Sequence, residues 1–175
     1  FAPAQSGLGN VLSRQGGDGQ AATVLSHTDI GRGLALFRQG EYQAAIGVFT
    51  GILEYGEQAP QIYNNIGLSH YRLGQYAEAI EYFDRALAID HQYARAHFNF
   101  GLVQVAKGDD LAAEIAFARV LALQPDHAKA HYRRGASLTR LGRRVEAEAH
   151  WIFLNREFPG DGRLLAKIDS ITRIE

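Results

Sequence analysis

The stretch from Pro60 to Tyr93, PQIYNNIGLSHYRLGQYAEAIEYFDRALAIDHQY, recurs along the chain, and that recurrence narrows the possible folds more than any other feature. Within it, apolar Ile62, Tyr63, Ile66 and Tyr71 stand at helical spacing, and Gly74 ends the run where a left-handed residue costs little. Tyr76, Ala79, Ile80, Phe83, Ala86 and Leu87 follow at three- and four-residue steps and make one apolar stripe. The two runs predict a helical hairpin in which small Gly67 and Ala79 let the helices approach and Phe83 fills the wedge between them. Such a hairpin is too small to bury its own apolar face, so it needs neighbours.

A shift of 34 residues supplies them. Gly33, Gly67, Gly101 and Gly135 align, as do Gly40, Gly74, Gly108 and Gly142. Ala45, Ala79, Ala113 and Ala147 form a third series, and the bulky Phe49, Phe83, Phe117 and Trp151 a fourth. Four positions match in four copies without an insertion, which predicts four stacked hairpins over 26–59, 60–93, 94–127 and 128–161.

This period and this spacing of small and aromatic residues resemble the tetratricopeptide repeat, TPR, over about four-fifths of the chain. Pro125 and Pro159 stand at the family's helix-ending proline, where the first copy has Glu57. The family's aromatic near the start of each repeat is Tyr63 in the second copy, against Asp29, His97 and His131 in the others. The resemblance implies an all-α fold: a right-handed superhelical solenoid of four helix-turn-helix hairpins.

The flanks read differently. Residues 1–25 are rich in Gly, Gln, Ala and Ser and are expected to be a flexible segment that gains order near Ala21. Leu8, Val11 and Leu12 could dock on a helix of this or another copy, and GGDG at 16–19 has too few carboxylates for calcium. Ser26 with Asp29 reads as a capping box opening the first repeat helix. In 162–175, Leu164, Leu165, Ile168 and Ile171 form one face of an amphipathic helix opposite Arg163, Lys167, Asp169 and Arg173. A solenoid needs an end whose outer face is wet, so this segment is expected to be a capping helix.

With 46% apolar residues among 175, the chain can bury a substantial core. It has no cysteine, which excludes disulfides and thiolate chemistry, and no apolar run near the roughly 18 residues of a membrane span. A net charge of −1 argues against a nonspecific polyanion binder. The chain has no methionine and starts at Phe1, which points to a processed, exported bacterial protein or to truncation, with a cytoplasmic location as the alternative.

Charge is sorted by helix. The first fourteen residues of the four copies hold nine bases against Asp29 alone, a net +8, while the remaining twenty hold fifteen acids against five bases, a net −10. Sorting of this kind produces a directed field rather than scattered pairs. In the family the first helices line a concave groove that receives a partner's peptide. Carried over, groove positions are Asn64, Asn65, Leu68, Tyr71 and Arg72 in the second copy, and Arg95, Phe98, Asn99 and Leu102 in the third. The fourth copy contributes Lys129, Tyr132, Arg133 and Arg140. Asparagine amides can hold an extended backbone, the cations can take carboxylates, and the aromatics offer flat surface at low entropic cost. The expected partner is an acidic, extended protein segment. Some TPR co-chaperones grip a C-terminal carboxylate with five residues over three repeats; on copies two to four, Asn99, Lys129 and Arg133 match, whereas Asn64 and Leu68 do not. On copies one to three the match is Asn65 and Arg95, with Asn99 in the arginine's place. The chain thus resembles part of a carboxylate clamp.

Other chemistry finds less support. His97 and His131 share a repeat position, which sets them about 8–10 Å apart on neighbouring helices, while two ligands of one zinc each stand ~2 Å from it. Packed or capping histidines are expected, with no metal and no cofactor. Ser69 and His70 are adjacent and face apart on a helix, and Gly31 and Gly33 fall short of a nucleotide motif. The carboxylates of the second helices are expected to be solvated and to offer no acid/base pair. A near-neutral pI of 6.7 argues against RNA. The expected function is therefore non-enzymatic: an adaptor or co-chaperone-like module gripping another protein. The alternative is a self-assembling homo-oligomeric scaffold joined through repeat ends or the N-terminal arm.

Overall fold

The computed structural model of the chain describes residues 18–56 and 58–172, with side chains from Thr28 onward. Among these residues there are nine α-helices and no strand. They are α1 (Asp18–Gln39), α2 (Tyr42–Glu54), α3 (Pro60–Arg72), α4 (Tyr76–Ile89), α5 (Ala94–Lys107), α6 (Asp110–Leu123), α7 (Ala128–Arg140), α8 (Arg144–Glu157) and α9 (Gly162–Thr172). Each helix through α7 packs on the next in sequence, while α1 also touches α3 and α3 touches α5. The odd-numbered helices therefore line one side of a right-handed solenoid.

The turn inside each hairpin has one physical cause. Gly40, Gly74, Gly108 and Gly142 hold φ of 84°, 75°, 80° and 75°, the left-handed region that a Cβ disfavours. The residue after each glycine closes the helix end, as where Gln75 N–H donates to the His70 carbonyl at 2.9 Å. The same bond runs from Asp109 to Gln104 and from Arg143 to Leu138, each at 2.9 Å. Helix-end carbonyls are thereby satisfied without a side chain.

The close approach within each hairpin also follows from residue size. A Cβ at Gly33, Gly67, Gly101 or Gly135 would lie 2.6–2.8 Å from the ring of Phe49, Phe83, Phe117 or Trp151 respectively. Phe49, Phe83 and Phe117 are fully buried, each contributing about 2–3 kcal/mol of apolar transfer. Between copies, Ile46, Phe49, Ile52, Ile62 and Ile66 form one core cluster, and Trp151, Leu154 and Ile168 belong to another that fastens α9. Of the apolar face of α9 expected from Leu164, Leu165, Ile168 and Ile171, all but Leu165 pack in that cluster.

Two local expectations need correction. Ser26 does not cap a helix: it lies inside α1, eight residues after Asp18. Ala21, Ala22 and Leu25 are good helix formers, so the helix runs through the position where the capping box suggested a start. Order expected near Ala21 is already helical at Asp18. Leu8, Val11, Leu12 and the remainder of 1–17 lie outside the described residues, as does Glu57.

Candidate partner-binding groove

Two adjoining cavities lie on the face lined by the odd-numbered helices. The smaller, of about 270 Å³, is walled by Asn64, Asn65 and Leu68 from α3, by Ala94, Arg95, Phe98 and Asn99 from α5, and by Gln124 and His127. The larger, of about 620 Å³, lies between α5, α7 and α9. Phe98 and Leu102 line it from α5, Lys129, Tyr132 and Arg133 from α7, Leu154 and Phe158 from the end of α8, and Arg163, Leu164 and Lys167 from α9. Phe98 lines both, so the two adjoin at that side chain and together span three copies. The larger opens where α5 and α7 touch less than α3 and α5 do, and α9 folds back onto α7 behind it.

Polar groups in the smaller cavity are fixed before any ligand arrives. Asn99 Nδ2 donates to Asn64 Oδ1 at 2.9 Å, with Asn64 almost fully buried. That bond leaves the Asn99 carbonyl oxygen and the Asn64 amide as an acceptor and a donor on facing helices. His127 caps α7, its Nδ1 accepting from Ala130 N–H at 3.1 Å. Burial is the main cause that raises the Tyr93 hydroxyl above its ordinary pKa, against the opposing influence of the Arg95 charge.

The expected groove residues thus fall into groups. Asn64, Asn65, Arg95, Phe98 and Asn99 are brought together, and Lys129, Tyr132 and Arg133 converge next to them. Arg133 lies over the Tyr132 ring at 6.0 Å. Tyr71 packs against Tyr76, and Arg72 sits over Phe37 at 5.7 Å, both away from the cavities. Arg140 is engaged by Asp110, to which its Nε donates at 2.7 Å, and by Ser137. The lining residues that sequence reasoning left out include Gln124, His127, Leu154 and Phe158 and, from α9, Arg163, Leu164 and Lys167. The signal for Arg163 and Lys167 was the four-residue step between them, which places both on one side of a helix.

The expectation that carboxylates of the second helices are merely solvated fails at Glu114. It is 6% exposed, accepts from Arg134 Nε at 2.8 Å, and lies 3.6 Å from Arg143. Burial raises the Asp84 carboxyl above its usual range, and the hydrogen bond from Arg143 lowers that of exposed Glu146. Charge sorted by helix in the sequence is partly neutralised between helices, because bases of α7 reach acids of α6.

Among the described histidines, His127 caps α7 and His70 stacks on the Tyr82 ring. His131 Nε2 lies 2.8 Å from the Pro125 carbonyl, so it carries the hydrogen, and its Nδ1 accepts from His150 Nδ1–H at 2.8 Å. His131 also stacks on Phe153 at 3.8 Å. Burial, helped by Arg134 and His131, lowers His150 to a pKa of about 4. No group of three or more His, Asp or Glu side chains able to hold a metal occurs among the described residues. Nor is any of their helices long and apolar enough to cross a membrane.

Fold and groove together define a helical-repeat solenoid with a preformed concave face. Two sequence models described as Tetratricopeptide repeat match residues 30–94 and 70–132, jointly more than half of the chain. The chain belongs to the tetratricopeptide repeat family. It is similar in structure to MamA from Desulfovibrio magneticus RS-1, with 21% identity, TM-score 0.68, and coverage of 87% of this chain and 93% of that one. YrrB, described as a TPR protein with an unusual peptide-binding site, is 22% identical, with TM-score 0.69 and coverage of 93% and 88%. The first TPR of Spaghetti (RPAP3), bound to the HSP90 peptide SRMEEVD, is 26% identical, with TM-score 0.63 and coverage of 70% and 94%. No curated protein matches the chain in sequence.

Proposed function

We propose that this chain is a non-catalytic adaptor whose concave groove receives an extended, acidic segment of a partner protein. The observation that carries the reading is the pair of cavities that adjoin at Phe98 and are lined by Asn99, Arg95, Lys129 and Arg133. Arg134 and Arg140 are occupied by acids of α6, whereas Lys129 and Arg133 have no acidic partner among the described residues. Cations kept apart from internal acids favour a ligand that brings its own carboxylates. Asn64, Asn65 and Asn99 would hold its main chain, and Phe98 and Tyr132 its side chains. Tyr71, Arg72 and Arg140 join the contact set only if the segment runs beyond the two cavities. The likeness to a TPR domain bound to SRMEEVD, a peptide with three acidic residues, supports a ligand of this chemistry.

The test is recovery of partners from native extract by the full chain and by its Asn99→Ala/Lys129→Ala/Arg133→Ala variant, at low and high salt, identified by mass spectrometry. A partner lost with the variant and in high salt is the expected result. A partner retained in both would place binding elsewhere and overturn the reading. Self-assembly is a second reading favoured by a specific feature: Leu111 and Ile115 on α6, and Val145 and Ile152 on α8, are 55–85% exposed. Light scattering across concentration distinguishes the two, because only a scaffold grows in mass.

A further inference from the structure

Helix α9 borders the groove. It turns back onto α7 and supplies a wall of the larger cavity through Arg163, Leu164 and Lys167. Lys129 and Arg133 face the same space from α7, so two pairs of cations border it from different helices. None of the four has an acidic partner among the described residues. The one carboxylate at the rim among the described residues, Asp161, accepts from the backbone N–H groups of Arg163 and Leu164 at 3.1 and 3.0 Å and is turned to the helix start. Arg163 lies in the first turn of α9, where the helix dipole opposes a cation. The space between the cations is apolar, with Leu102, Tyr132, Leu154 and Leu164 among its lining.

We infer that this cavity reads a bulky apolar side chain flanked by carboxylates, and that α9 supplies half of the charge recognition. The proposal rests on the groove reading above and adds the chemistry of the ligand and the role of the last helix. An apolar anchor gains from leaving water where the pocket excludes it, and the carboxylates around it gain from the exposed cations at the rim, most at low salt. A partner protein segment fits better than a small molecule, because the cavity adjoining at Phe98 is lined by Asn64 and Asn99, whose amide groups suit a main chain.

The test uses the full chain and three short fluorescein-labelled peptides, read by anisotropy at low salt. One is glutamate-rich with a central leucine, the second has alanine at the centre, and the third has glutamine for every glutamate. The leucine peptide is expected to bind, with the alanine version weaker by about tenfold or more and the glutamine version weaker still. Arg163→Gln/Lys167→Gln removes two exposed charges and should weaken the leucine peptide about fivefold, with an unchanged melting temperature. Loss with Lys129→Ala/Arg133→Ala but not with Arg163→Gln/Lys167→Gln would keep the groove and remove α9 from recognition. Equal binding of the leucine and alanine peptides would remove the apolar anchor. No binding of the leucine peptide to the unaltered chain would overturn the ligand class, while recovery of a salt-sensitive partner from extract would still uphold the groove.

Discussion

The junction between α2 and α3 and the junction between α6 and α7 occupy equivalent places in the repeat, yet they are built from opposite chemistry. Ile46 and Ile66 belong to one apolar cluster at the first junction. One copy later the same two positions hold Ile80 and Phe100, again in a shared cluster. At the third junction they hold Glu114 and Arg134, joined at 2.8 Å with the carboxylate almost fully buried. The backbone accepts either solution, because glycine and aromatic positions inside each hairpin set the packing distance independently of the junction. The consequences differ. An apolar contact is indifferent to salt and pH, while a buried ion pair depends on both partners staying charged and present.

The sharpest way to separate the junctions is to remove one member of each. Arg134→Ala should cost about 3–5 kcal/mol by leaving the Glu114 carboxylate buried, with Arg143 at 3.6 Å holding the loss toward the lower figure. Ile66→Ala should cost about 2–5 kcal/mol through its cavity. Urea unfolding at two salt concentrations checks both, and a loss below ~1 kcal/mol for Arg134→Ala would mean water already reaches Glu114.

Acid should act on the C-terminal half next. His150 is neutral in the folded state down to a pKa of about 4, while in the unfolded chain it takes a proton near 6.5. The unfolded state therefore binds more protons in that window, so stability is lost as pH falls from about 6.5 toward 4 and is fully present above it. The loss is at most about 3 kcal/mol. Melting curves of the full chain and of His150→Phe across that range should diverge, and parallel curves would rule His150 out as the cause.

Glu114→Ile with Arg134→Ile rebuilds the third junction in the image of the first. The pair of changes should leave stability within about 2 kcal/mol of the original, on the stable side, although each alone is costly. A strongly destabilised double variant would show that Arg143 and Glu146 need the buried pair. The smallest effects belong to exposed pairs. Arg140→Ala should cost ~1 kcal/mol or less, and Arg85→Ala, which breaks the ion pair with Glu81 on the surface of α4, about 0.3–0.5 kcal/mol. Chemical denaturation of both variants in parallel would reveal any surface network larger than these figures.

The recurring glycine, alanine and aromatic positions were readable from residue order because their causes are local or nearly so. A left-handed turn admits glycine wherever it falls, and a ring such as Phe83 meets Gly67 only sixteen positions earlier in the same hairpin. Helix count from Ser26 onward, the apolar stripes and the amphipathic last helix follow from the same short-range rules. Ser26 itself misled, because a capping pattern competes with helix propensity on its N-terminal side and lost. The candidate groove was legible in part: Asn64, Asn65, Arg95, Phe98 and Asn99 converge as spacing suggested, whereas Arg140 turns to Asp110. Which cations stay open and which are neutralised was not readable. Arg133 and Arg134 are neighbours in sequence, and a rotation of about 100° along the helix sends one to the cavity and the other to buried Glu114. Periodicity and residue size set the repeat and its turns; the partners of each charge, and the return of α9 over the groove, depend on distances between separate helices, which only packing defines.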